Sequence, residues 1–386
     1  MKEKIKVFFP SVEAGFGHIM TERSIADAFE EKYGDRCEVI RQDFYKSSGN
    51  PRMMKFEKDM ASQVRLYNRM PWIGYFISAA NNVFGSHLST WFVCTFLTPG
   101  AYGASKKAME KISPDVVVST HWATNYVAKH LKKKPLTVVY VPDCHVNACF
   151  RYPADLTMIS AKEGYNSAKK RFLRFNKDNF KLVPFAIRKE AFSIENDKVK
   201  LRKELGMEEK FTVLVMDGAY GIGLMEKISE EIVKKDLPVN VIAMCGSNKA
   251  LLDRLSSLKT GKNTNLYAYG FREDILKFIA ASDIYFGKSG NGIAEPTFFG
   301  NPAIVTHCAN YIENRIAQHY INIGNTKKIF LSGECVKFIE DAINGGEEFL
   351  RMREAAKNAP PFGSEKTADE IFYAIDKKYG LTRKNA

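Results

Sequence analysis

Three glycine-bearing turns and two ionisable side chains beside them are the parts of this sequence that could do chemistry. The first turn, Ser11-Val12-Glu13-Ala14-Gly15-Phe16-Gly17-His18, follows a short apolar run and opens a helical stretch. Glycines there let backbone N–H groups approach a ligand, and a helix start favours an anion or a developing negative charge. His18 closes that turn, and an imidazole, titrating near neutral pH, can take a proton from an attacking hydroxyl. A tight strand-to-helix turn with His18 as a cap is the competing reading. The dinucleotide pattern G-x-G-x-x-G fails, because position 20 is Met20. The second turn, Asp217-Gly218-Ala219-Tyr220-Gly221-Ile222-Gly223, lacks the Gly-Lys-Ser/Thr ending of an ATPase phosphate loop. The third, Gly287-Lys288-Ser289-Gly290-Asn291-Gly292, leads into Ile293-Ala294-Glu295. Small residues before a helix N-terminus can hold a diphosphate. Glu295, one turn on, is then within reach of ribose hydroxyls; alone it would read as dipole complementarity. No Asp-x-Asp pair occurs to share a divalent ion, which favours helix dipoles and basic side chains as the means of neutralising a diphosphate.

The elements that must carry these turns alternate. Apolar runs at 4–9, 37–40, 115–119, 136–141 and 157–159 read as strands, with helical stretches at 19–33 and 122–131. After Pro184 the alternation restarts, with strands at 211–216, 239–245, 265–269, 284–286 and 303–305. Two such series predict an α/β protein with two parallel, doubly wound sheets and a joint near 185–196. A chain of 386 residues is the right length for two cores.

Charge divides the chain at the same place. Residues 1–190 hold thirty Lys and Arg against eighteen Asp and Glu, and the remainder twenty-seven against twenty-six. A one-sided basic half suggests an anionic partner, nucleic acid or anionic lipid. No zinc finger, RNP signature or basic-region heptad supports nucleic acid. Residues 51–102 are rich in aromatics, Met and Arg, including Trp72, Phe76, Trp91 and Phe92, yet contain no 18-residue apolar span. They read as helices packed on the first sheet, as an interfacial element, or as both. Seven cysteines without a C-x-x-C pair argue for a reducing compartment, and the first ten residues are too short for a signal peptide.

Taken together these residues resemble the glycolipid-forming GT-B glycosyltransferases, the processive diacylglycerol glucosyltransferases and monogalactosyldiacylglycerol synthases. Gly15-Phe16-Gly17-His18 resembles the family's glycine-glycine-histidine turn, and Met216 to Gly223, with Gly218 and Gly221, its glycine-rich loop of the second domain. Gly246-Ser247-Asn248 resembles its Cys-Gly-x-Asn strand end, and Gly270-Phe271, with Arg272 beside it, its base-binding turn. Lys288-Ser289-Gly290-Asn291-Gly292 with Glu295 resembles its Lys-Pro-Gly-Gly loop and following Glu. Two departures stand out. The family's Gln-Glu before an Asn is Asn310-Tyr311 here, with Asn314 retained. Its Asp with a His four residues on is Asp143 followed by Asn147.

The resemblance implies a fold of two Rossmann-like domains facing each other across a cleft. It implies an acceptor-binding, membrane-associating domain over 1–190, a nucleotide-sugar-binding domain over 191–364, and a C-terminal helix, about 365–386, packing back on the first. It implies transfer of a hexose from a UDP-sugar to a membrane lipid acceptor, with inversion, without metal or other cofactor, on the cytoplasmic face of an anionic membrane. His18 or Asp143 would act as base. Gly17, Ser289, Gly290, Asn291, Asn310 and the other turn residues named above would bind the donor. Two rival readings use the same turns: a UDP-sugar epimerase acting on a soluble substrate, and a non-catalytic binder.

Overall fold

The computed structural model describes residues 4–13, 16–84, 87–171, 179–218 and 223–381. Gly15 and Gly221 of the turns above therefore lie outside it, as do residues 172–178, and the side chains of the basic run Lys169-Lys170-Arg171 are not described. The chain forms two units, residues 1–189 with 310–312 and 361–386, and residues 190–309 with 313–360.

The first unit is built on six parallel strands: β1 (Ile5–Ser11), β2 (Cys37–Asp43), β3 (Val116–Ser119), β4 (Leu136–Val141), β5 (Leu156–Ile159) and β6 (Phe180–Leu182), in the order β2-β1-β3-β4-β5-β6. Parallel strands need helical crossovers, so both faces must be covered. Alternation along β1 shows this: Val7 and Phe9 pack with Ile25 and Phe29 on one face, while Phe8 packs with Phe44, Met53 and Phe56 on the other. The helix Glu365–Tyr379 lies on the first of these faces, with Ile371 and Ile375 in its core and Phe372 stacked on Tyr33 at 4.0 Å.

The second unit repeats the plan: β7 (Phe211–Met216), β8 (Val239–Met244), β9 (Asn265–Tyr269), β10 (Ile284–Lys288), β11 (Ala303–His307) and β12 (Thr326–Lys328), ordered β12-β11-β10-β7-β8-β9. Every ladder is again parallel. Val213, Val215, Val241, Ala243 and Phe286 make one core face with Ile228, Ile232 and Ile339 from the flanking helices. The expected pair of doubly wound α/β sheets is present, with β6 and β12 added at the edges.

Residues 51–102 fold as helices Pro51–Arg69, Pro71–Phe84 and His87–Phe92, a π-helical turn Val93–Leu97, and the start of helix Pro99–Ile112. A proline opens three of these helices, where its missing N–H costs nothing and its fixed φ already suits the first turn.

One buried charge stands out in the first core. Glu22, on the helix Phe16–Tyr33, is 3% exposed, and one of its carboxyl oxygens has no hydrogen-bond partner among the described residues. Burial raises its pKa to about 7, against the pull of Arg41 and Arg23. A carboxyl raised from 4.5 to about 7 keeps its proton in the fold but loses it in the unfolded chain. Stability from this group is therefore present below pH 4.5 and is lost as pH rises toward 7. Glu22→Gln should flatten that fall and stabilise the protein at pH 8 by on the order of 3 kcal/mol, with little gain at pH 4. Urea unfolding at both values checks this; equal effects at the two values would refute it.

Candidate functional site

In an open parallel sheet, loops that carry ligands gather outside the carboxyl ends of the strands, at the point where strand order reverses. In the first unit that point lies between β1 and β3, and His18 follows one strand while Thr120 and His121 follow the other. Gly17 and His18 stand in the first turn of the helix Phe16–Tyr33. His18 Nδ1 lies 3.0 Å from the Thr120 carbonyl oxygen. A carbonyl only accepts, so Nδ1 carries the proton and Nε2 is left as the basic nitrogen of the neutral ring. The Thr120 hydroxyl donates back to the His18 carbonyl at 3.3 Å.

His121 stands edge-on to His18 with ring centroids 5.7 Å apart, and it is buried. Its Nδ1 accepts the Ala123 N–H at 3.3 Å, capping the helix Trp122–Lys129. Burial, and then the neighbouring His18, hold its pKa well below the usual imidazole value, so it stays neutral. Asp143 follows β4, one strand beyond β3 on the same edge, and is buried. His18 and Asp143 thus share an edge, with the Thr120-His121 loop between them.

In the second unit the order reverses between β10 and β7. Five consecutive strand ends open into loops on this edge: Cys308-Ala309 after β11, Ser289 to Gly292 after β10, Asp217-Gly218 after β7, Gly246 to Asn248 after β8, and Gly270 to Arg272 after β9. With neighbouring strands about 4.8 Å apart, this row spans about 19 Å. Gly218 (φ 70°) and Gly290 (φ 158°) adopt backbone conformations that favour glycine. The loop after β10 enters a 3-10 turn, Asn291–Ile293, and the helix Ala294–Phe298, with Glu295 half-buried in its first turn.

Several of these side chains brace the row. Ser289 is buried; its N–H donates to the His307 carbonyl at 2.8 Å and its hydroxyl to the Glu313 carbonyl at 2.6 Å. Both of its donors are therefore engaged within the unit, which makes it a support for the loop. Lys288 pairs with Glu313 at 2.8 Å, and the other carboxylate oxygen of Glu313 accepts the Ala309 N–H at 2.6 Å. Asp217 accepts from the Met225 N–H at 2.8 Å and the Thr306 hydroxyl at 3.3 Å, and burial raises its pKa. Asn248 caps the helix Lys249–Ser256 through the Leu251 N–H at 3.1 Å. Arg272 holds Asp274 through two bonds of 2.8 and 2.7 Å, beside an exposed Phe271. Asn314 accepts from Lys328 at 2.6 Å, and Asn310, half-buried, belongs to the first unit.

Two polar atoms near the row have no hydrogen-bond partner among the described residues: Asn291 Oδ1 and His307 Nε2, both buried. Burial and then Lys288 lower the His307 pKa, so that ring is neutral. Thr120, His121, Glu313 and His307 were not singled out from the sequence. Thr120, His121 and His307 signal themselves only by position, at or just beyond a strand end beside a turn that was singled out, while Glu313 stands in the first turn of the helix Tyr311–Ile323. Among the described residues no three His, Cys, Asp or Glu side chains converge as a metal site.

β10 reaches β7 closely at this point. A Cβ on Gly287 would overlap the Met216 carbonyl oxygen and the Tyr285 hydroxyl, which itself donates to Met216 at 3.1 Å. Gly287→Ala should cost about 3 kcal/mol in unfolding free energy, the scale of overpacking a tight core. Chemical denaturation of the two proteins measures it; a loss under 0.5 kcal/mol would mean that the strands part freely there.

No family model matches the chain. It is similar to a probable chloroplastic monogalactosyldiacylglycerol synthase of Nicotiana tabacum, 26% identical over 364 residues, which covers 86% of this chain and 62% of that protein. It thus spans less than two thirds of that relative's length. It is also similar to a processive diacylglycerol beta-glucosyltransferase of Bacillus pumilus, 26% identical over 169 residues, covering 43% and 44%. Among solved structures, the MnaA–UDP complex of S. aureus superposes with a TM-score of 0.61 at 14% identity, over 99% of this chain and 98% of that one. The fold is GT-B, and the resemblance noted from the sequence is borne out.

Proposed function

We propose that this chain transfers a hexose from a UDP-sugar to a membrane lipid acceptor without a divalent metal. The observation that carries the proposal is the row of five turns across the switch point of the second sheet. Under this reading the base lies by Gly270 and Phe271. Glu295 meets the ribose, and the diphosphate lies against Gly290, Asn291 and Gly292. Asn310 and Asn314 face the sugar. The unpartnered Asn291 Oδ1 and His307 Nε2 fit this assignment, since a ligand with hydroxyls and N–H groups would give them partners. His18 supplies the base through Nε2, with Nδ1–H fixed on Thr120. Such a base takes the acceptor proton as the oxygen attacks the anomeric carbon and the nucleoside diphosphate leaves. Backbone N–H groups steady the leaving charge. The names of the Nicotiana and Bacillus relatives support a diacylglycerol-type acceptor.

Purified protein with UDP-hexose, diacylglycerol vesicles and EDTA should form glycolipid. Isomerised sugar nucleotide in its place would favour the epimerase reading. His18→Ala should lower turnover about a hundredfold, with UDP affinity kept. Glu295→Ala should do the reverse, weakening UDP by on the order of 1.5–3 kcal/mol in calorimetry. The opposite pattern would exchange the two assignments.

The acceptor reading needs a lipid-facing surface, and the exposed apolar side chains of the first unit support one. Trp72 and Phe76 are 70% and 72% exposed, and Leu88, Trp91, Phe92, Phe96 and Leu97 are exposed as well. Arg52, Lys55 and Lys58 lie exposed on the preceding helix. Among the described residues no helix is long and apolar enough to cross a membrane. Aromatics beside cations suit a peripheral contact with an anionic leaflet. In the Lys132-Lys133-Lys134 run, Lys133 pairs with Asp115 at 2.7 Å and Lys134 donates to Lys129, so that run contributes less. Full-length protein should float with anionic vesicles, more weakly at high salt, and Trp72→Ser with Phe76→Ser should abolish the salt-resistant part. Unchanged flotation of that variant would remove these helices from the contact.

A further inference from the structure

The outward aromatics stand on helices that are fastened inward to one loop. Near the end of the helix Pro71–Phe84, Asn82 is 1% exposed. Its Oδ1 lies 3.1 Å from His145 Nε2, which therefore donates, and its carbonyl accepts from Arg151 Nη2 at 2.7 Å. Arg151 also reaches the same Oδ1 at 3.3 Å. On the helix His87–Phe92, Thr90 is fully buried and its hydroxyl donates to the Cys149 carbonyl at 3.1 Å. His145, Cys149 and Arg151 belong to a single stretch, the loop after β4 and its 3-10 turn Ala148–Arg151, and that loop begins with Asp143.

Each helix thus carries exposed rings on one side and a buried polar anchor on the other. Phe76 and Asn82 share the first helix, and Trp91, Phe92 and Thr90 the second. A buried hydrogen bond is not exchanged for water without leaving a desolvated group, so a shift of either helix carries the loop with it. The two anchors converge on one segment, which gives displacement at the apolar face a defined destination.

We propose that Asn82 and Thr90 are positioning residues that couple lipid contact at the aromatic helices to the placement of Asp143. This rests on the lipid-surface reading above. Lipid settling against Trp72, Phe76, Trp91 and Phe92 fixes the two helices, and the anchors then fix the loop from Asp143 to Arg151. The acceptor side of the site is ordered where the acceptor is found, and is looser in solution.

Hydrogen exchange on the full-length chain, with and without vesicles of phosphatidylglycerol and phosphatidylcholine, tests this. Vesicles should slow exchange across residues 143–151 about tenfold, together with 71–84 and 87–92. In Thr90→Val, which removes only a hydroxyl's hydrogen bonding, and in Asn82→Ala, the helices should keep their protection while 143–151 loses it. Thr90→Ser should restore it. Protection of the helices with none in 143–151 of the unaltered protein overturns the coupling and leaves the lipid surface standing. Equal protection of 143–151 in all variants overturns it as well. A chain that does not bind the vesicles overturns both readings together.

Discussion

Every strand pairing among the described residues is parallel, and that constraint fixes where chemistry can sit. A parallel neighbour is reached only through a crossover, so each strand's carboxyl end opens into a loop on one edge. Where the chain begins to build in the other direction, two adjacent loops leave toward opposite faces and a gap opens between them. His18 and Thr120 line that gap in the first sheet, and Asp217 and Ser289 in the second. The glycines follow from the same constraint. Gly287 is small because β10 crowds β7, and Gly218 and Gly290 turn where a side chain would be strained.

Electrostatics differ between the two edges in a way that suits different work. In the second unit two ion pairs stand at the row: Lys288 with Glu313, and Arg272 with Asp274. Lys288 and Glu313 are largely buried, and a buried pair of this kind gives little net stability but holds geometry. His307 is held neutral there by burial and by Lys288. An anion there would meet backbone dipoles first, which are already oriented and need no rearrangement. The first unit instead holds the chain's excess of positive charge and its exposed rings.

Much of the architecture was legible because parallel strands buried on both faces are continuous apolar runs. Leu136–Val141 and Phe211–Met216 fall where their Val-rich segments predict. Phe180–Leu182 and Thr326–Lys328 did not announce themselves: three residues at a sheet edge, the latter reading Thr-Lys-Lys, carry no run to detect. The glycine turns were legible at the site because glycine before a helix is itself a local signal. The partners of those turns were not. Thr120 meets His18 across about a hundred residues, Glu313 meets Lys288 across two loops, and Asn82 meets His145 through a fold that only packing brings about. Ser289 shows the converse, since its sequence context suggested a ligand while its neighbours claim both donors.

The helices between residues 51 and 97 show what the sequence could state only as an alternative. Part of the helix Pro51–Arg69 does pack on the first sheet, with Met53 and Phe56 in its core. The rest turns outward, and the reason lies in the anchors. Asn82 Oδ1 and the Thr90 hydroxyl are buried and hydrogen-bonded, the first to His145 and Arg151 and the second to the Cys149 carbonyl. These contacts orient each helix about its axis, although Asn82 Nδ2 has no partner among the described residues. Once those faces point inward, Phe76, Trp91 and Phe92 have no interior left to fill. A ring of some 200 Å² left mostly in water, as Phe76 is, forgoes roughly 3 kcal/mol of burial, and the half-exposed Trp91 and Phe92 forgo less. Several such rings side by side exceed what scattered surface apolar residues amount to, and that unspent free energy is what a lipid surface would recover. The same two polar contacts that leave the rings outside also tie them to the loop of Asp143, so exposure and linkage have one structural cause.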